Sequence, residues 1–297
     1  MKPDARFLKQ RKDFWAHVRT LSQAIGYTER NQKTIRIPSI DRIVEALGAL
    51  DLTTDHVVAA SGAPTKFGKL LIDYFTHRAN VLNAFVEPRL MDADEAGSLF
   101  QKVRKRCKPP DRILPLNKQK GEKKTHAYLT GLVNMMIYER SPVDVCEYDP
   151  RILTTITRNG KPLRTLARRV DGAFPALVNP IAIWEIKEYY FTTTFGSRVA
   201  DGVYETLLDG MELEELREHE GIHVKHYLML DSHFTWWECG RSYLCRIIDM
   251  LHMGYVDEVL FGREVVERMP ELVDEWVKEY RSAPVTTSSI DLRRSRR

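Results

Sequence analysis

The chain has 297 residues, of which 43% are hydrophobic and 29% are charged, and its net charge at pH 7 is +4. A chain of this length can bury one large core or two smaller ones without disulfide bonds, and its four cysteines lack the short paired spacing of a zinc ribbon. It begins without the apolar segment of a signal peptide, and no apolar run is long enough to span a bilayer. We therefore expect a cytoplasmic protein with no membrane partner.

The first third of the chain has the apolar spacing of amphipathic helices. Apolar residues recur at helical intervals up to Gly26, and Ser39 is a suitable N-cap for a second helix. Helices are predicted over residues 14–25, 40–47, 67–86 and 92–106. We expect a mainly helical N-terminal domain over residues 1–120, with an accessory or DNA-binding role.

A basic segment follows these helices. Residues 101–124 carry ten lysines or arginines and only two acidic residues. Such a run is either a solvated linker or a surface that attracts phosphate, and composition alone does not separate the two. Proline, lysine and glycine accumulate over residues 107–124, so we place a domain boundary there. If the chain binds DNA, the candidate phosphate contacts in this segment are Lys118, Lys120, Lys123 and Lys124.

Residues 121–282 have the pattern of an α/β domain. An apolar helical face over residues 129–137 is followed by two β-branched runs, which Asn159 and Gly160 join with the signal of a tight hairpin. A third run is apolar enough for a buried strand. The predicted core is a helix, a three-strand meander (152–158, 163–171 and 181–187), a helix (197–219) and a strand (222–230). After the core we predict a helix (236–253), a short strand (256–261), a helical stretch interrupted by Pro270 (264–280) and a flexible basic tail (283–297).

Three ionisable residues fall where the predicted strands meet. Side chains two apart on a strand share a face, so Glu185 and Lys187 point the same way. Asp171 closes the preceding strand, and in a suitable antiparallel register its carboxylate converges with that of Glu185. Two carboxylates so close are costly without a cation between them, and hard oxygen ligands favour Mg²⁺. With Lys187 beside it, such a centre is typical of phosphodiester hydrolysis.

Asp171 and the string Glu185-Ile186-Lys187 resemble the motif of the PD-(D/E)xK nuclease superfamily, whose members include type II restriction endonucleases. Val170 stands where the family name has proline. The resemblance implies a restriction-endonuclease-like αβββαβ core with a mixed sheet, and Mg²⁺ held by Asp171, Glu185 and the main-chain carbonyl of Ile186. It also implies an endonuclease that cuts double-stranded DNA as a homodimer, with a role in restriction–modification.

The resemblance covers residues 125–230 and suggests further site residues. Many members of the superfamily carry a catalytic glutamate on the helix before the meander, and Glu139 takes that place here. On the helix after the motif, Thr194, Ser197 and Arg198 are candidate DNA contacts, because the N–H groups and dipole at a helix N-terminus favour anions. The alternative for each of these polar residues is an ordinary role in capping the helix.

A competing motif lies further along the chain. The string His219-Glu220-Gly221-Ile222-His223 matches the H-E-x-x-H motif of zinc metalloproteases. That chemistry needs both histidines one turn apart on a continuous helix, whereas Gly221 lies inside the motif and a strand-like alternation follows it. A metalloprotease is therefore one alternative function. A DNA-binding module that has the nuclease fold without activity is another.

Overall fold

The most apolar strands of the chain pair with one another in a four-stranded mixed sheet. β5 (Gly172–Phe174) runs antiparallel to β6 (Ala182–Lys187), and β6, β7 (Lys225–Leu230) and β8 (Glu258–Phe261) are parallel, in the order β5-β6-β7-β8. The computed structural model describes residues 1–8, 10–29, 34–117, 125–142, 145–192 and 195–282. Over these residues the chain is a mixed α/β protein, as the apolar pattern predicts.

Helices cover both faces of this sheet, because parallel strands need crossover connections. α7 (Ser197–Glu220) joins β6 to β7 and α8 (Arg241–His252) joins β7 to β8, and both pack on one face. α5 (Ala93–Cys107), α6 (Tyr128–Arg140) and α9 (Glu264–Ser282) pack on the other. Within the ranges given above, no helix has the length and apolar content that a membrane crossing would need.

Trp184 fixes how β5 meets β6. It pairs with Gly172 in the antiparallel register, and a Cβ on Gly172 would lie 2.1 Å from the indole. On the face of the sheet that α5, α6 and α9 cover, the indole stacks on Trp276 of α9, with ring centroids 5.6 Å apart and ring planes within 9° of parallel. The glycine therefore leaves room for the indole of Trp184, and the same register holds Asp171, the preceding residue, beside Glu185.

The N-terminal helices pack against the face of the sheet that carries α8. They are α1 (Ala5–Leu8), α2 (Lys12–Ile25), α3 (Ile40–Gly48) and α4 (Lys66–Val81), with a short ribbon of β1 (Thr28–Glu29) and β2 (Thr34–Ile35). On α4, Nη1 of Arg78 lies 3.0 Å from both carboxylate oxygens of Asp249 on α8, and the arginine is 1% exposed. A buried ion pair thus joins the two parts of the chain, and loss of either partner would leave an uncompensated charge.

The predicted three-strand meander is wrong in its second strand. The hairpin at Asn159 and Gly160 is present as β3 (Thr155–Arg158) and β4 (Lys161–Thr165), but these two strands form a separate sheet, and β5 is the strand that pairs with β6. The run 163–171 contains three arginines, which a continuous core strand does not accommodate without partners. The chain instead leaves β4 and bends, so that Arg168 faces acidic side chains of α7.

The predicted interruption at Pro270 is also wrong, because α9 continues through this residue. Proline inside a helix costs about 3 kcal/mol. Val265, Met269, Val273 and Trp276 of this helix are all buried, and burial of each such side chain contributes roughly 1.5–3 kcal/mol. The packing of its apolar face therefore outweighs the missing hydrogen bond.

The predicted division between residues 120 and 121 stays a prediction. α5 precedes that division, yet its buried residues share a core with α6, α9 and the sheet. The flexible tail predicted over 283–297 and the candidate DNA contacts Lys118, Lys120, Lys123 and Lys124 lie outside the described residues.

Candidate active site

Asp171 and Glu185 lie side by side on neighbouring strands. The main-chain N–H of Asp171 donates to the carbonyl of Trp184 at 3.1 Å, and the N–H of Ile186 donates to Oδ2 of Asp171 at 2.7 Å. Nζ of Lys187 donates to Oε2 of Glu185 at 2.9 Å. The structure thus brings the three predicted residues together at the end of β6, and Glu185 and Lys187 share the face of the sheet that α7 covers.

Three further charged residues complete this group, and sequence reasoning missed them. Nη1 of Arg168 lies 2.9 Å from Oε1 of Glu185 and 2.6 Å from Oδ2 of Asp209, and Nη2 of Arg168 lies 3.2 Å from Oε2 of Glu205. The same oxygen of Glu205 lies 3.2 Å from Nζ of Lys187. We call these six residues (Arg168, Asp171, Glu185, Lys187, Glu205 and Asp209) the charge cluster.

A signal for the missed acidic residues is present in the sequence of α7. Glu205 and Asp209 are four residues apart, which places them on one face of a helix. Gly202 lies on that face, and a Cβ there would lie 3.2 Å from Cδ of Lys187. A helix with acidic residues at this spacing and a glycine one turn before them is suited to receive a long basic side chain from the strand beneath it.

The charge cluster contains more carboxylates than cations. Glu185 and Asp209 are 0% exposed, whereas Arg168 and Glu205 reach solvent with 23% and 45% of their side chains exposed. Among the residues that the structure describes, Oε1 of Glu185 and Oδ1 of Asp209 have no hydrogen-bond partner, although Arg168 lies within ion-pair distance of the first. Two cations therefore face four carboxylates, two of which retain an unsatisfied buried oxygen.

The pKa values in the charge cluster reflect this imbalance. Burial and the charge of Glu185 raise the pKa of Asp171 to about 6 and that of Asp209 to about 7. Burial alone would also raise the pKa of Glu185, but the adjacent charges of Lys187 and Arg168 outweigh it and lower that pKa. Burial opposes the charge of Lys187, yet the carboxylates of Glu185 and Asp171 raise its pKa above the usual value. Lys187 is therefore a cation at neutral pH, while Asp171 and Asp209 ionise only near neutrality.

The donor set fits a hard divalent cation such as Mg²⁺. The described residues contain no group of three or more His, Cys, Asp or Glu side chains arranged to hold a metal ion. Mg²⁺, however, is commonly held by one or two carboxylates together with water and substrate phosphate. Asp171 and Glu185 supply two such oxygens, and the N–H of Ile186 points towards Asp171, so its carbonyl faces the same side of the strand. A cation here would also offset the excess of carboxylates.

The remaining predicted site residues are not part of the charge cluster, and one of them, Thr194, lies outside the described residues. Glu139 is not brought to the charge cluster: it lies in the last turn of α6, on the opposite face of the sheet, where Nη2 of Arg106 is 2.9 Å from its carboxylate. Ser197 and Arg198 are exposed in the first turn of α7, which begins without a side-chain cap.

The histidines of the H-E-x-x-H string are not on one helix. α7 ends at Glu220, and Gly221 follows it with a left-handed backbone at φ 67°. His219 is in the last turn of α7, whereas Nε2 of His223, beyond the helix, lies 3.1 Å from Asp257. The arrangement that a zinc protease of this class needs is therefore missing at this string.

Comparison with known proteins identifies the family without describing an activity. Residues 91–276 match a family model described as "Domain of unknown function (DUF7687)", and residues 1–85 match a second, described as "Domain of unknown function (DUF7690)". No curated protein and no solved structure matches the chain. The match over residues 91–276 spans more than half of the chain, so the chain belongs to the DUF7687 family.

Proposed function

We propose that the chain is a Mg²⁺-dependent endonuclease that hydrolyses phosphodiester bonds of double-stranded DNA. The observation that carries this proposal is the convergence of Asp171 and Glu185 from neighbouring strands, with Nζ of Lys187 2.9 Å from Glu185. The order of elements from α6 to β7, with β5 antiparallel and β7 parallel to β6, supports a core similar to that of restriction endonucleases.

Asp171, Glu185 and the carbonyl of Ile186 would hold the cation. When bound, such an ion polarises the scissile phosphate and lowers the pKa of a coordinated water. Lys187 carries a proton at neutral pH, so its ammonium is suited to orient the attacking water and to stabilise negative charge on the phosphoryl oxygens. It is less suited to accept a proton, because its two carboxylate neighbours favour the charged form.

Arg168 provides a second cation on the solvent side of the charge cluster. Its guanidinium contacts Glu185, Glu205 and Asp209, and 23% of its side chain is exposed. A guanidinium presents paired donors that match two oxygens of one phosphate. In this proposal Arg168 positions the DNA backbone at the edge of the charge cluster, while Lys187 acts deeper inside it.

Two of the DNA contacts proposed from the sequence, Ser197 and Arg198, lie at the N-terminus of α7. β6 ends at Lys187 and α7 starts at Ser197, so the N-terminus of α7 lies towards the carboxyl end of β6. The first N–H groups of a helix attract phosphate, and Ser197 and Arg198 are exposed there. Cutting both strands of a duplex requires two such centres, so we propose a homodimer and a type II restriction role.

The test is cleavage of plasmid and phage DNA by the purified chain in Mg²⁺ and in EDTA. We expect Mg²⁺-dependent cleavage that Lys187→Ala lowers at least about a hundredfold. Lys161→Ala, which removes an exposed lysine of β4, is the matched control and should cleave like the parent chain. Sequencing the ends separates a restriction activity, with discrete ends, from a nuclease that cuts at random or at particular DNA structures.

Two results would overturn the proposal. DNA binding without cleavage in any divalent metal would indicate an inert module with the nuclease fold. Stoichiometric zinc that is lost in His223→Ala, together with cleavage of a protein substrate, would indicate a metalloprotease.

A further inference from the structure

A cavity of about 340 Å³ lies between the N-terminal helices and the helices α7 and α8. Arg19 from α2, Tyr204 from α7 and Arg246 from α8 are among the residues that line it. Its volume falls within the range of small-molecule sites in proteins. α7 separates this cavity from the charge cluster, because Tyr204 lines the cavity whereas the neighbouring Glu205 faces Lys187.

Arg246 is a cation held in place by aromatic rings. Its guanidinium carbon lies 4.6 Å from the ring centroid of Tyr243 and 5.2 Å from that of Tyr27, and Nη1 donates to the hydroxyl of Tyr204 at 2.6 Å. Such stacking orients a guanidinium without neutralising it. The guanidinium also hydrogen-bonds the hydroxyl of Tyr27, and because it has five N–H donors, others remain that can donate to an anion.

Arg19 adds a second positive charge to the same cavity. Its side chain is exposed, and Nη2 contacts a methionine sulfur at 3.4 Å. Neither Arg19 nor Arg246 forms an ion pair with a carboxylate in the part of the chain that the structure describes. Two guanidinium groups without acidic partners in one concave site favour an anionic ligand.

Among the described residues that line the cavity, one is acidic, Asp249, and its charge is already matched. Both of its carboxylate oxygens lie 3.0 Å from Nη1 of Arg78, and the hydroxyl of Tyr74 donates to one of them at 2.5 Å. Asp249 therefore does not cancel the positive charge of the two unpaired arginines, and the cavity has a net positive character.

The remaining wall of the cavity suits a flat aromatic ring. Tyr204 is 50% exposed, which leaves much of its side chain accessible, and Val203, Leu207 and Met250 provide an apolar surface. Aromatic rings stack favourably on tyrosine, and apolar walls with a few polar groups are typical of ligand sites. The cavity thus combines a surface for a ring with donors for an anion.

We propose that this cavity binds a nucleotide, with the base against Tyr204 and the phosphate at Arg19 and Arg246. This inference does not depend on the proposed nuclease chemistry, since none of these residues belongs to the charge cluster. Two sources present the same ring and phosphate, a free nucleoside monophosphate and an unpaired nucleotide of a DNA strand.

The test is calorimetric titration of the full chain with the four deoxynucleoside monophosphates, a short oligothymidylate, thymidine and inorganic phosphate. We expect at least one nucleotide or the oligothymidylate to bind more tightly than either thymidine or phosphate. Arg19→Gln should weaken that binding roughly tenfold, as expected for loss of one charge-assisted hydrogen bond. Tyr204→Leu removes both the stacking surface and the hydroxyl that Nη1 of Arg246 contacts, so it should weaken binding of the nucleotide more than that of inorganic phosphate.

A control variant shows whether the nucleotide binds in this cavity. Arg217→Gln removes an exposed arginine of α7 outside the cavity and should bind like the parent chain. Binding of monophosphates alone assigns the cavity to free nucleotides, and equal or tighter binding of the oligothymidylate assigns it to a DNA strand. The inference is overturned if no nucleotide binds more tightly than inorganic phosphate, or if Arg19→Gln and Tyr204→Leu both bind like the parent chain.

Discussion

The carboxylate of Asp209 provides a direct test of the electrostatics of the charge cluster. It is fully buried, 2.6 Å from Nη1 of Arg168, and burial together with the charge of Glu185 raises its pKa from 3.8 to about 7. A raised pKa means that the folded chain holds this proton more tightly than the unfolded chain. Asp209 therefore favours folding most at low pH, and this contribution is lost as the pH rises from 3.8 through about 7.

The size of the effect follows from the two pKa values. At about pH 5 most unfolded chains have lost the proton, whereas folded chains still hold it. At about pH 8 both have lost it, and the folded chain then contains an ionised carboxylate in an unfavourable place. Between these pH values the free energy of unfolding should fall by roughly 2–3 kcal/mol because of Asp209 alone.

Asp209→Asn replaces the titrating carboxyl with a neutral amide, so it should remove the contribution of Asp209 to the pH dependence of the free energy of unfolding. The measurement is urea unfolding in EDTA at about pH 5 and about pH 8, followed by the fluorescence of the buried tryptophans. Titrating groups outside the charge cluster cancel when the variant is compared with the parent chain at both pH values. Asp201→Asn, at an exposed position of α7, is the matched control and should keep the dependence of the parent chain. The reasoning is refuted if the two pH dependences differ by less than about 0.5 kcal/mol, or if the difference has the opposite sign.

Three further predictions follow from the same structure. Mg²⁺ should raise the unfolding midpoint at about pH 8 and much less at about pH 5, because Asp171, whose pKa is about 6, is protonated at the lower pH. The prediction is contradicted if Mg²⁺ stabilises Asp171→Asn as much as the parent chain at about pH 8. Gly172→Ala should lower the free energy of unfolding by about 3 kcal/mol or more, since its Cβ would lie 2.1 Å from the indole of Trp184, and chemical unfolding at one pH measures this. Arg78→Met should lower the free energy of unfolding by about 3–5 kcal/mol, because it leaves Asp249 as an unpaired buried charge. Chemical unfolding measures this, and a loss below about 1 kcal/mol would show that the ion pair does not join the N-terminal helices to α8.

Local pattern is enough to predict the elements that depend on neighbouring residues. α3 begins at Ile40 after the expected cap, where the side chain of Ser39 accepts a hydrogen bond from the N–H of Arg42. β6 coincides with the apolar run before Lys187, and the hairpin turn at Asn159 and Gly160 is present, with both residues at positive φ. These features depend on residues close together in the chain, so apolar spacing and turn chemistry locate them.

The predictions are wrong where distant residues decide the outcome. Local pattern makes residues 163–171 one strand, but Arg168 turns to carboxylates on α7 and the sheet partner of β6 is the short β5. Pro270 favours an interrupted helix, and packing of α9 against Trp184 and its neighbours outweighs that preference. Likeness to a nuclease family places Glu139 in the site, yet this residue pairs with Arg106 instead.

The sequence by itself determined which residues lie on one face of β6, because alternation along a strand is a property of the backbone. It therefore placed Glu185 and Lys187 together and made Asp171 a candidate for the adjacent position. Only the tertiary structure decided that Arg168, Glu205 and Asp209 surround them, since these contacts join a bend after β4 to a helix more than 30 residues later. Side chains so far apart in the chain meet through packing of the whole fold, and no local periodicity records which of them will do so.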